Sequence, residues 1–439
     1  MKSLLHVTNA LFKQNPLLRN VSMIVRGTVL GQGLVFLLSP IITRIYAPED
    51  FGIYTVYFSL LSILSIIIAL RFEVAIPIAK KKLEANHLLL IALLSTLILS
   101  LFTAGIIYGW GQPLSDRFHM AKLSHYLWLL PISLVAVGFY NALSYWFVRH
   151  RSFEHIGKTK VTQGSGIVTT QITLGLMQFK PLGLLIGQTV GHTLGALTFI
   201  TALLRFDRLF FKKIRPSFLF TTAKRYWRFP VFSMPSGLIN ALALYLPAVI
   251  ISATYGSQVA GWYGLTAQVI GIPLGLIGQA IGQVYLGEGA VLKNQGNFLA
   301  LRTLYIKTIR HSLMLAFPFI VLILLFAPSI FSWTFGESWY DAGLFARLLG
   351  IMFLLEFAII GPSQNFALME QQALGLYWNI FFVALIMLAF VPALFYSASY
   401  FTTVLYLGIA KSIGYITMAF LNLHAIGNNK KLNHPICVE

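Results

Sequence analysis

Five charged side chains stand inside stretches of sequence that are otherwise apolar: Arg26, Arg71, Glu73, Glu356 and Lys411. Each costs roughly 2.5–3.5 kcal/mol to insert into hydrocarbon unless it snorkels, pairs or faces water. Their types limit the chemistry. A guanidinium presents a fork of donors that matches phosphate oxygens, so Arg26 and Arg71 suit a phosphate or pyrophosphate group in a wet interior. A carboxyl holds a proton or a cation, which makes Glu73 and Glu356 charge partners or ion-coupling groups. Gln32, Gln163, Gln171, Gln188, Gln268, Gln279, Gln283 and His192 add donors and acceptors that can serve sugar hydroxyls or cross-link helices. The candidate substrate site read from these residues is Arg26, Arg71, Lys411, Gln32 and Gln268, with Glu73 and Glu356 as partners or coupling groups.

Depth along the helices sorts these groups further. Glu356 lies about 13 residues, and Lys411 about 11, from the outer ends of their spans, so at 1.5 Å per residue they share a level and can pair. Arg26 and Glu73 share a level near the inner face. Arg71 and Glu73, two residues apart on one helix, point in different directions and are not expected to pair, which leaves Arg71 free. Two roles stay open for Arg26 and Arg71, snorkelling to lipid headgroups or recognition of a phosphate.

The sequence offers no catalytic constellation. It has no G-x-x-x-x-G-K-[ST] phosphate loop, no H-E-x-x-H and no nucleophile elbow. Its one cysteine, Cys437, allows no intramolecular disulfide and no thiolate metal cluster. No enzyme activity, metal or bound cofactor is expected, and a proton, sodium or the membrane potential stays open as the driving force.

The elements that must carry these groups are membrane spans. The chain is 57% hydrophobic and 10% charged, against roughly 25% charged for soluble domains. Its apolar runs repeatedly reach about 20 residues, the length that crosses about 30 Å of hydrocarbon. Windows of about 19 residues place twelve helices near 21–45, 52–78, 88–110, 123–148, 159–179, 182–204, 229–254, 260–286, 305–332, 343–368, 373–397 and 400–423. With the N-terminus inside, 25 of the 32 Lys and Arg fall in or beside cytoplasmic segments and five fall outside. That asymmetry puts both termini in the cytoplasm. It also accounts for the net charge of +19 without nucleic acid, through basic loops facing anionic membrane lipid. The opening segment, 1–20, reads as an interfacial helix rather than a cleaved signal peptide.

A basic linker at 205–228 separates an N-lobe, 21–204, from a C-lobe, 229–423, and a cytoplasmic tail, 424–439, follows. Duplication shows in a repeated pattern: Tyr46, Gly52 and Tyr54 follow the first span as Y-x5-G-x-Y, and Tyr255, Gly261 and Tyr263 follow the seventh with the same spacing. The fold expected is therefore an all-α polytopic membrane protein of about twelve transmembrane helices, in two six-helix lobes around a central cavity.

The run from Lys224 to Tyr285, the RIYAPEDFGIYTV turn and the ALRFEVAIPIAKKKLEA stretch resemble the Wzx-type polysaccharide-biosynthesis flippases. The resemblance is strongest at 24–85 and 224–287. It implies the multidrug, oligosaccharidyl-lipid and polysaccharide exporter fold, alternating access and a cationic central cavity. The implied substrate is an undecaprenyl-pyrophosphate-linked O-antigen or capsule repeat unit, carried from the cytoplasmic to the periplasmic leaflet of a bacterial inner membrane. The expected partners are this lipid-linked oligosaccharide, membrane lipids, and a polysaccharide polymerase and chain-length regulator. Arg26, Arg71 and Glu73 fall where such proteins hold charge. The MEQQALG stretch with Glu370 departs from the basic turn usual there. A cation or drug antiporter of the same fold calls for acidic cavity residues, and Glu356 keeps that alternative open. A polymerase calls for a large outer loop, and the longest here, around Gln112–Lys122, has about a dozen residues.

Overall fold

The computed structural model describes residues 16–117, 121–206, 217–369 and 371–432, and every regular element among them is helical. Residues 1–15 of the segment read as interfacial and parts of the linker and tail lie outside these residues, as does the side chain of Arg26, while 16–20 open the first helix. The long helices are α1 (Pro16–Ile45), α2 (Pro48–Ser65), α3 (Lys82–Arg117), α4 (Leu129–Arg149), α5 (Phe153–Leu176) and α6 (Leu182–Phe206). They continue as α7 (Met234–Tyr255), α8 (Ser257–Thr266, widened at Ala267–Gly271 and resumed over Ile272–Asn294) and α9 (Phe298–Phe335). The last three are α10 (Tyr340–Ile360), α11 (Gln372–Tyr396) and α12 (Tyr400–Leu432). Ten of these helical runs are long and apolar enough to cross a membrane. The other two are α2, which is only 18 residues long, and the more polar α5. α2 opens on Glu49 and Asp50, and α5 is rich in Gly, Thr and Gln that its neighbours enclose.

Two compact units divide the chain within α7, Met1–Ala241 and Leu242–Glu439. In the first, α4 is the hub, packed by α2, α3 and α6, with Trp146 and Phe147 fully buried on it. α5 lies between α1 and α6. The α1–α5 approach depends on glycine: a Cβ at Gly27 would strike the backbone of Gly157, and one at Gly164 the backbone of Gly31. Small residues at such seams let backbones meet, which is how helices bind one another where no water drives them together.

The second unit repeats the plan. The contacts α2–α4, α3–α4, α4–α6 and α5–α6 recur as α8–α10, α9–α10, α10–α12 and α11–α12. The repeated tyrosines act alike as well. Tyr46 donates to the Gln171 carbonyl of α5 at 2.7 Å, and Tyr255 donates to the Ala398 carbonyl after α11, also at 2.7 Å. Each ties the end of its half's first span to its fifth. The α1–α5 seam has no counterpart of similar extent between α7 and α11. At one end of the second unit, Tyr285, Phe298, Leu301, Tyr305, Leu368, Met369 and Ile426 form a separate apolar cluster joining α8, α9 and α12.

The second span departs from expectation. Its apolar run over 52–78 is not one helix: α2 ends at Ser65, the chain turns through 66–71, and helix resumes only as Phe72–Ala75 followed by the tighter turn Ile76–Ile78.

Candidate functional site

Arg71 sits at the break in the second span, and the break decides its environment. Leu70 (φ 52°) and Arg71 (φ 60°) are both left-handed, a conformation that costs a non-glycine residue roughly 1–2 kcal/mol. Strain of this kind persists only where the surroundings over-determine it. Here Arg149 of α4 supplies that constraint, because its Nη1 donates to the carbonyls of Ile76 (3.1 Å), Pro77 (3.2 Å) and Ala79 (2.6 Å) and fixes the segment that follows.

The turn also corrects the expected separation of Arg71 from Glu73. Residues two apart diverge on a continuous helix, but the helix starts afresh after Arg71, and its Nη1 lies 3.8 Å from Glu73 Oε1. Arg71 is paired, though poorly. Arg71 Nε and Glu73 Oε2 are buried without a hydrogen-bond partner. The carboxylate side chain is 5% exposed and the guanidinium side chain 24%. Gly237, in the first turn of α7, makes room for the guanidinium, since a Cβ there would stand 3.1 Å from Arg71 Nη2. Tyr145 of α4 feels both charges. A buried donor or acceptor left unmade costs about 1–3 kcal/mol, so this pair combines strain, burial and unmet bonds in one place.

The second unit brings Glu356 of α10 and Lys411 of α12 within electrostatic reach of each other. Tyr415, one turn beyond Lys411, also acts on the Glu356 carboxyl. Lys411 is 6% exposed and thus turned inward. Tyr415 escaped the sequence reading. Its spacing of four from Lys411 on one helix face was the available signal, but it is one of 19 tyrosines.

A third, uncharged group lies in the first unit. Tyr54 of α2 donates to Gln188 Oε1 at 3.3 Å, and the amide nitrogens of Gln188 and Gln163 lie 3.0 and 2.8 Å from the two ring nitrogens of His192. Neutral imidazole accepts at one nitrogen only, so one of these amides turns its oxygen to the ring N–H. Tyr140 meets His192 edge-on at 5.8 Å, and the Lys160 ammonium stands 5.1 Å over the Tyr140 ring. Gln32 on α1 and Gln268 in the widened turn of α8 are half-buried, and neither bonds to Arg71, Glu73, Glu356 or Lys411.

Residues 41–343, more than half of the chain, match the family model described as "Polysaccharide biosynthesis protein". The chain belongs to the polysaccharide biosynthesis protein family. Among its relatives is the teichuronic acid biosynthesis protein TuaB of Bacillus subtilis, 25% identical over 38% of this chain and 35% of TuaB. The amylovoran biosynthesis protein AmsL of Erwinia amylovora is 22% identical over 64% of this chain and 71% of AmsL. The succinoglycan biosynthesis transport protein ExoT of Rhizobium meliloti is 26% identical over 58% of this chain and 50% of ExoT. The matched parts thus span about a third of TuaB and half of ExoT. Among solved structures, the inward-facing form of a multidrug resistance MATE family transporter of the MOP superfamily superposes with a TM-score of 0.70 at 16% identity, over 94% of this chain and 99% of that one. The outward-facing form of such a transporter gives 0.59 at 16% identity, over 94% and 96%. This polysaccharide biosynthesis protein therefore has the MATE fold: an all-α, multi-pass membrane protein built as two lobes.

Proposed function

We propose that the protein flips a lipid-linked oligosaccharide, an undecaprenyl-pyrophosphate-linked O-antigen or capsule repeat unit, across the bacterial inner membrane by alternating access. The substrate enters from the cytoplasmic leaflet, and both termini of the protein lie in the cytoplasm. Membership in a polysaccharide biosynthesis family and a transporter fold support transport of a saccharide rather than its synthesis. The observation that carries the reading is Arg71: a guanidinium with one buried, unmet donor and a single ion-pair contact at 3.8 Å retains capacity for phosphate oxygens.

The test is genetic and chemical. Deleting the gene abolishes surface polysaccharide and builds up single lipid-linked repeat units on the inner leaflet, as read by mass spectrometry of extracted lipids. Arg71→Ala impairs export by at least about tenfold, and Arg71→Lys, which keeps the charge but not the fork, impairs it less. Equal, wild-type export by both variants overturns the role of Arg71, and normal surface polysaccharide in the deletion strain overturns the function. Cation antiport, the reading that Glu356 supports, is weakened by Lys411, a cation within electrostatic reach of that carboxyl. Altered dye resistance with intact polysaccharide in the deletion strain would select it.

A further inference from the structure

We propose that the linker helix, Ser217–Arg225, and the turn that follows it form a docking surface for anionic phospholipid: Phe220 and Trp227 enter the acyl boundary while Lys224 and Arg228 meet headgroup phosphates. The docking holds whatever the cargo is, and takes from the transport reading only that this end of the protein faces the cytoplasmic leaflet.

Polar contacts fix the linker helix to the first two turns of α3. Arg225 donates to Glu84 Oε1 at 2.7 Å and Tyr226 to Glu84 Oε2 at 3.2 Å. The ring of Phe218 stacks on that of His87 with centroids 6.4 Å apart, and the hydroxyl of Thr222, the buried residue of the helix, lies 3.4 Å from His87 Nδ1. These anchors set the depth. The apolar run of α3 begins at Leu88, directly after His87, so the linker helix lies level with the boundary of the hydrocarbon.

The face turned away from α3 is mixed in kind. Phe220, Lys224, Trp227, Arg228 and Val231 are all exposed, Phe220 by 79%, and their spacing places them on one side of a helical path. Aromatic rings interleaved with Lys and Arg along a short helix make up a segment that lies in a membrane interface, rings in the acyl boundary and cations at the phosphates. Charge decides the kind of lipid. Glu84 is used up within the clasp, 15% exposed and bonded to both Arg225 and Tyr226. Lys80, whose backbone Tyr226 reaches, and Lys81 are exposed as well. Among the described residues none of Lys80, Lys81, Lys224 and Arg228 has an ion-pair partner. A surface of this kind attracts anionic headgroups. A soluble acidic protein matches the charge too, but the bilayer already occupies the level at which Phe220 and Trp227 stand. The turn leads into α7, so a docked linker fixes the start of the helix on which Gly237 gives room to Arg71.

Hydrogen exchange of the full-length protein in lipid nanodiscs tests the docking. The backbone amides of 217–228 should exchange about tenfold more slowly in discs of equal parts phosphatidylglycerol and phosphatidylcholine than in discs of phosphatidylcholine alone. Lys224→Gln combined with Arg228→Gln should remove most of that difference while the amides of α3 exchange as in wild type. Equal rates in the two discs overturn the proposal and leave this face to an acidic protein. Protection that survives the double variant overturns it as well, because the cations then play no part. Entry of the rings is read separately: the emission that Trp227→Phe removes should be quenched by lipid brominated near the top of its acyl chains, and an unquenched difference places Trp227 in water and overturns the insertion. None of these measurements involves export, so the docking can fail with the transport reading intact.

Discussion

The polar interiors of the two units make an instructive contrast. In the first, His192 of α6 is held by two glutamine amides. In the second, Lys411 of α12 acts on Glu356, which Tyr415 also serves. Both basic residues stand three positions before a glycine, Gly195 and Gly414, and both glycines lie against an aromatic ring, of Tyr140 in one case and Phe382 in the other. The scaffold position is thus shared while the chemistry differs: an amide and imidazole network in one half, and a lysine within electrostatic reach of a carboxyl in the other. Duplicated halves therefore keep packing rules longer than side-chain chemistry.

The contrast can be broken at its charged end first. Glu356→Ala leaves the Lys411 ammonium buried without a counter-charge and is expected to cost about 3–5 kcal/mol, whereas Glu356→Ala with Lys411→Met recovers most of the loss. Thermal unfolding in detergent measures both, and an equal loss in single and double variants would mean that the pair is not coupled. At the neutral end the effect is smaller. His192→Leu fits the volume but removes the partner of Gln163 and Gln188, and about 1–3 kcal/mol should be lost; a loss as large as that of Glu356→Ala would erase the distinction between the halves. Smallest is the shared feature. Tyr46→Phe and Tyr255→Phe each remove one hydroxyl bond, worth about 0.5–1.5 kcal/mol. Tyr46→Phe should cost the more, because Tyr46 is 1% exposed and meets only a carbonyl, whereas the hydroxyl of Tyr255 can be replaced by water at Thr403.

Much of the architecture was legible because lipid imposes a simple rule on sequence. Apolar runs long enough to cross the bilayer marked the spans. The break in the second span was not legible. The stretch SILSIIIALRFEVA contains neither Gly nor Pro, and the turn within it is held from outside, by Arg149 on the carbonyls that follow and by the space at Gly237. The pairing of Arg71 with Glu73 was missed for the same reason, since a rule about helix faces says nothing once the helix has ended. Tyr54, Gln163, Gln188 and His192 were visible as polar residues, but their assembly depends on how α2, α5 and α6 cross.

The length of α9 bears on how the molecule answers to its solvent. At 38 residues it runs about 57 Å, nearly twice the hydrocarbon thickness, and the cluster around Tyr285, Phe298 and Tyr305 gathers at its first turns. A helix that long carries this knob past the hydrocarbon when it crosses the bilayer. It coheres as an aqueous globule does, by excluding water, so urea and chaotropes should loosen it while the lipid-clad helices stay assembled.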